Sequence, residues 1–185
     1  MMHQNGTGLR VRVVATGEAG NGDSEVASDK EVAPVETPLL PGALFYSLWG
    51  ADQAPPLPND GNEPKFSSWF PPDGGFRYEL IVLPPDGTQP PANLDKAAAL
   101  AETEKVLPGL MQAMDPKHPG MHQTDTIDLI YVTEGACVLV LDGGDEVTLR
   151  AGDVLVQNGP RHAWRNPNAE PCGLLTVSIG VKRKS

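Results

Sequence analysis

The stretch Met121-His-Gln-Thr-Asp-Thr-Ile-Asp-Leu-Ile-Tyr-Val-Thr-Glu-Gly135 decides the reading of this chain. From His122 to Val132 its β-branched and aromatic residues favour a strand, and alternate side chains of a strand share one face. His122, Thr124, Thr126 and Asp128 therefore point the same way, followed on that face by Ile130 and Val132. An imidazole and a carboxylate held above an apolar floor are what a β-barrel uses to build a metal or acid/base site at its mouth. A second stretch, Ala151-Gly-Asp-Val-Leu-Val-Gln-Asn-Gly-Pro-Arg-His-Ala-Trp-Arg-Asn166, supplies another histidine, His162, just after a turn.

Outward from these stretches the chain reads as strands and turns. Downstream, short strands are expected at 136–141, 146–150, 154–157, 162–165 and 173–181, with Gly at most of the corners between them. That spacing indicates an antiparallel jelly roll or barrel. Upstream, strands are expected at 9–15 and 43–49, with a loop over 16–42 that carries at most one short extended piece. Residues 1–8 read as disordered. After the Pro-rich connector 51–64, Phe66–Phe70 and Phe76–Leu83 read as a strand pair across Pro71-Pro-Asp-Gly-Gly75. Apolar residues from Leu94 to Met114 follow helical spacing, which predicts one helical segment over 93–114, broken at Pro108. The expected division is an N-terminal extension (1–92) packing on the barrel or a partner, a helix and loop (93–117), and the barrel core (118–185).

The two quoted stretches resemble the motifs of the cupins. In the first motif His122 matches the first ligand, Asp128 stands where the family has Glu, and Gly135 closes the spacing; in the second, Gly159, His162 and Asn166 keep the family pattern. Thr124 stands in place of the second histidine, Pro116 in place of the first glycine, and Gln157 in place of a proline. The resemblance implies an all-β jelly-roll barrel and a divalent ion, Fe2+, Mn2+, Zn2+ or Ni2+, held by His122, Asp128 and His162, which would also be the catalytic residues. Open coordination positions would then serve a small organic substrate, through oxygenation, decarboxylation, dehydration or isomerisation. Thr124, Trp164 and Arg161 are the candidate substrate-binding residues. His118, four residues before His122, is a further ligand candidate in a Pro-flanked loop. Two alternatives stay open: a non-catalytic small-molecule-binding barrel, and a metal-free structural barrel in which the histidines are hydrogen-bonded core groups.

A net charge of −10 argues against nucleic acid and anionic membranes as partners. No apolar run approaches the roughly 20 residues that cross a bilayer, and a cytoplasmic location is expected. The basic tail Lys182-Arg-Lys184 reads as a solvated end. Two cysteines are too few for a disulfide scaffold; Cys137 reads as core and Cys172 as a free thiol in a turn. The strand 136–141 is apolar on both faces, which calls for a second covering layer, and a homodimer is expected.

Overall fold

In a computed structural model of the chain, residues 9–184 are described; the expected disorder at 1–8 lies outside them. Ten strands run β1 (Val11–Glu18), β2 (Ser24–Val32), β3 (Leu44–Ala51), β4 (Phe76–Leu83), β5 (Thr126–Glu134), β6 (Ala136–Leu141), β7 (Glu146–Arg150), β8 (Val154–Gln157), β9 (His162–Arg165) and β10 (Cys172–Gly180). Between β4 and β5 lie helix α1 (Lys96–Val106) and a 3-10 turn at Met111–Ala113. Every strand pairing is antiparallel. A five-stranded sheet in the order β3-β4-β10-β5-β8 faces a three-stranded sheet, β7-β6-β9, while β1 and β2 form a separate hairpin. The fold is an all-β jelly roll with one helix.

Period-two alternation gives each long strand its two faces. On β5 the residues Thr126, Asp128, Ile130 and Val132 are buried, and Leu129, Tyr131 and Thr133 are exposed. Ile130, Val132 and Leu174 of the large sheet meet Cys137 and Leu149 of the small one in the dry centre of the sandwich, together with Cys172. Both cysteines are free and buried. Cys172 opens β10 rather than sitting in an exposed turn, because Gly135 (φ 69°) lets the β5–β6 corner come against the backbone at Pro171 and Cys172, where a Cβ would lie 2.3 Å from the Pro171 carbonyl.

The N-terminal third departs from expectation in two places. Residues 16–42 hold a full strand, β2, paired with β1 through ion pairs such as Arg12 with Asp29; the polar composition that reads as loop belongs to a hairpin with an exposed face. Residues 66–70 are not a strand. Trp69 instead packs edge-on against Phe45 at 5.6 Å, its amide bonds the Pro108 carbonyl, and β4 takes β3 as its partner. The helical segment is shorter than expected: Asp95 caps α1 by accepting from the amides of Ala97 and Ala98, and the helix ends at Val106, before Pro108. Arg183 of the basic tail is not a free end, since it donates to Asp125 and to the carbonyls of Thr124 and Gly159. No described helix is long and apolar enough to cross a membrane.

Candidate functional site

The inner face of the large sheet changes character along its length. At one end Val132, Ile130 and Leu174 belong to the dry core. Further along, β5 presents Asp128 and Thr126, and the chain before it leads back through Thr124 to His122. His122 pairs backbone to backbone with His162 at the start of β9, its amide on the His162 carbonyl at 2.8 Å and the return bond at 3.0 Å. That bridge brings the two imidazoles to 4.1 Å between centroids. Gly159, in a left-handed turn (φ 63°), lets the β8–β9 corner approach the carbonyls of Thr124 and Thr126 and so delivers His162 to its place.

His122, Thr124, Asp128 and His162 open on one cavity of about 420 Å³. Its polar end holds His122, Thr124, Asp128, Gln157, His162, Glu79, Thr176 and Ser178, and its other walls are apolar, including Leu40, Phe45, Trp69, Ile81 and Met114. The volume suits a small ligand.

Hydrogen bonds define the state of both rings. Nδ1 of His122 lies 3.1 Å from the Gly120 carbonyl and Nδ1 of His162 lies 3.0 Å from the Pro160 carbonyl. A carbonyl can only accept, so each ring carries its proton on Nδ1 and turns the lone pair of Nε2 outward. The Gln157 amide donates to Nε2 of His162 at 2.8 Å. No side chain among the described residues takes Nε2 of His122. Burial, reinforced by the neighbouring His122, pushes His162 down to about 4. Burial likewise lowers His122, with the Gly120 bond and the Asp128 charge acting against it. Both rings are therefore neutral at pH 7.

The carboxylates are less well provided. Asp128 is 7% exposed and receives one long contact, 3.5 Å from the Gln157 amide, while its Oδ1 has no partner. Glu79, on β4, is 3% exposed, and its Oε1 also lacks a partner, as does Oε1 of Gln157. Desolvation raises Glu79 well above the usual carboxylate range, and the Asp128 charge adds to this against the opposing effect of Arg77. Glu79 thus favours its protonated form where no cation faces it.

Of the residues singled out from the sequence, His122, Thr124, Asp128, His162 and Trp164 line this cavity together. Thr124 is hydrogen-bonded to Thr126 at 2.8 Å, and Trp164 stands edge-on to His162 at 6.0 Å. Arg161 does not line it: it lies in the turn before β9, where its side chain pairs with Asp115 and faces Asp142 at 3.7 Å. His118 also bonds Asp115, on the surface. Bonds from His118 and Arg161, with the Lys117 amide, hold the Asp115 carboxyl well below its ordinary value.

Two site residues lay outside the sequence reading. Gln157 is the residue that replaces the motif's proline; Glu79 lies in Phe76–Leu83, where a lone acid among apolar residues was the available signal. The donor set fits a divalent ion only in part. Two adjacent Nε2 lone pairs, each braced by a backbone carbonyl, are the ligand half of such a centre. Among the described residues, however, no three His, Cys, Asp or Glu side chains are placed to hold an ion. Gln157 touches both Asp128 and His162.

Comparisons with known proteins agree with the architecture. Residues 110–178 match the Cupin_2 family, described as a cupin domain. The chain is 44% identical over 55 residues to Oryzines biosynthesis cluster protein J of Aspergillus oryzae, covering 28% of this chain and 31% of that one. It is 43% identical over 82 residues to Phomopsin biosynthesis cluster protein C' of Diaporthe leptostromiformis, covering 41% and 43%. With the cupin-domain-containing oxidoreductase srdD of Neurospora crassa it shares 41% over 46 residues, 25% of this chain and 24% of the relative. In each case less than half of the relative's length is spanned. Residues 110–178 of this chain are thus similar to a cupin domain, and they are set in an antiparallel jelly roll.

Proposed function

We propose that the protein is an enzyme that acts on a small organic molecule inside the barrel by proton transfer, through isomerisation, dehydration or decarboxylation. The carrying observation is the convergence of two neutral imidazoles and two buried carboxyl groups on one mostly apolar cavity. In this reading His122 is the base, because its Nε2 lone pair is the one left open; His162, tied by Gln157 and Pro160, is held in place beside it. Asp128 stabilises the imidazolium formed when His122 takes a proton, which is the sense in which its charge acts on that ring. Glu79, across β10 from Asp128, completes the polar end of the cavity. Relatives named as biosynthesis cluster proteins and as a cupin-domain-containing oxidoreductase support an enzymatic role.

Metal-dependent oxygenation is a second reading, favoured by the paired Nε2 atoms and by the oxidoreductase name of one relative. It asks for a third ligand that the present arrangement does not supply, and no step is drawn through an ion. Deuterium wash-in from solvent, followed by NMR over a panel of small enolisable carbonyl compounds, separates the readings. The expected result is exchange that is unaffected by a chelator and lost in His122→Ala. Exchange that stops on chelation and returns with Fe2+, Mn2+, Zn2+ or Ni2+ would replace proton transfer by the metal reading. Ligand binding with no exchange would make the barrel a binding module.

The assembly proposed is a homodimer through the outer face of the large sheet. The β1–β2 hairpin covers Tyr46, Leu48 and Leu80 on the β3–β4 half. The other half leaves Leu129, Tyr131, Val154 and Val156 between 43% and 69% exposed in one contiguous patch that includes the edge strand β8. A second copy brings a matching apolar surface, as an isologous interface requires.

A further inference from the structure

The polar end of the cavity has more acceptors than donors, and its geometry shows what is missing. Strand β10 lies between β4 and β5, with Thr176 opposite both Glu79 and Ile130, and Ser178 opposite both Arg77 and Asp128. Glu79 and Asp128 therefore flank two small hydroxyl residues, which leave a trough between the two acids. Gln157, opposite Asp128 on β8, closes its far side. Three buried oxygens have no donor: Oε1 of Glu79, Oδ1 of Asp128 and Oε1 of Gln157.

No cation among the described residues answers them. Among the described residues neither acid belongs to an ion pair, and Arg77, one residue-pair along the strand from Glu79, is committed elsewhere. Its guanidinium bonds the carbonyls of Ser68, Ala51 and Phe76 and the Asp52 carboxylate, with its flat face on Phe66 at 4.0 Å. Arg165, at the mouth, faces Asp86 and Glu146. Ionising a buried carboxyl group without a counter-charge is costly, and a ligand that carries donors and positive charge favours the carboxylate form of such a group.

We propose that the trough between Glu79 and Asp128 is an ammonium-binding subsite, so that the cavity takes small amines with an apolar body, the body lying against Phe45, Trp69 and Ile81. A protonated amine has donors, a positive charge and no acceptor, which suits oxygens that lack a donor. This deepens the functional reading above by naming a substrate class, and it stands or falls on binding alone, whether or not turnover occurs. It also gives Glu79, outside the matched cupin segment, a part in specificity.

Calorimetric titration of the full chain with three probes of one shape tests it: 2-phenylethylamine, 2-phenylethanol and phenylacetate. The amine is expected to bind about tenfold or more tighter than the alcohol, and the carboxylate not at all. Glu79→Gln is expected to remove most of the amine's advantage while leaving the alcohol unchanged. Equal or stronger binding of the alcohol, or no binding of any probe, overturns the proposal, as does an amine preference that survives both Glu79→Gln and Asp128→Asn. The wild-type comparison needs no variant to fold. Amine binding without deuterium exchange would leave this subsite standing and remove the enzymatic reading instead.

Discussion

The two faces of the five-stranded sheet invert the usual rule of burial. Its inner face, in the half away from the core, carries Glu79, Thr126, Asp128, Gln157, Thr176 and Ser178, all buried. Its outer face carries Leu129, Tyr131, Val154, Val156 and Ile179, all more than a third exposed. Polar groups inside cost free energy unless something pairs them, and apolar groups outside cost it unless something covers them. Neither face is at rest in the isolated chain: the inner one calls for a ligand, the outer one for a neighbour.

Removing the base should have the largest effect. His122→Ala is expected to lower the rate of proton exchange by about 100-fold or more, the usual contribution of a general base, measured by the deuterium wash-in above. The same variant should leave the thermal transition within a few degrees of wild type, because the ring is only half buried. A matching loss of folding would mean the ring is structural.

The second effect is on stability against pH. His162 titrates at about 4 in the fold against 6.5 unfolded, so its folded pKa is depressed. Above pH 6.5 neither state binds the proton; between 6.5 and 4 the unfolded chain takes it up and the fold does not. Stability is therefore expected to fall by about 3 kcal/mol across that window, read by denaturant unfolding at successive pH values. Glu79 works in the opposite direction. Its raised pKa means the fold binds a proton that the unfolded chain has released above its own value of 4.5, so this contribution is complete at low pH and is lost as pH rises through the folded value. His162→Gln should flatten the first slope and Glu79→Gln the second; an unchanged profile in both would contradict the protonation states assigned to the inner face.

On the outer face, Leu129→Asp combined with Val156→Lys is expected to weaken dimer formation by about 100-fold, measured by sedimentation velocity in the ultracentrifuge, while probe binding in the cavity stays as it was. A wild-type protein that sediments as a monomer at high concentration would sink the homodimer. Smallest of all should be Arg161→Ala. Its pairs with Asp115 and Asp142 lie at the surface and contribute little to stability, and since it does not line the cavity, affinity for the amine probe should not change.

How far the residues themselves disclosed this arrangement varies along the chain. Period-two alternation put His122, Thr124, Thr126 and Asp128 on one face; of the four, β5 holds Thr126 and Asp128, and His122 is placed instead by its backbone bridge to His162. The corner at Gly159 was legible for the same kind of reason: a left-handed turn needs glycine. The hairpin strand β2 was not, since an exposed strand of Glu, Asp, Lys and Ser has a loop's composition and gains its order only from pairing with β1. Phe66–Phe70 erred the other way, its aromatic residues being wanted for packing on Phe45 and the loop around Pro108 rather than for a ladder.

Local sequence, then, determined the barrel class, the shared face on β5 and the two histidines, all of which follow from alternation and turn chemistry within a few residues. Tertiary structure alone decided that Glu79 joins Asp128 across β10, that Gln157 touches both Asp128 and His162, and that Arg161 is spent on Asp115. Those outcomes depend on which strands become neighbours and in what register, and the contacts they create join residues from 5 to about 50 positions apart, beyond what local periodicity can encode.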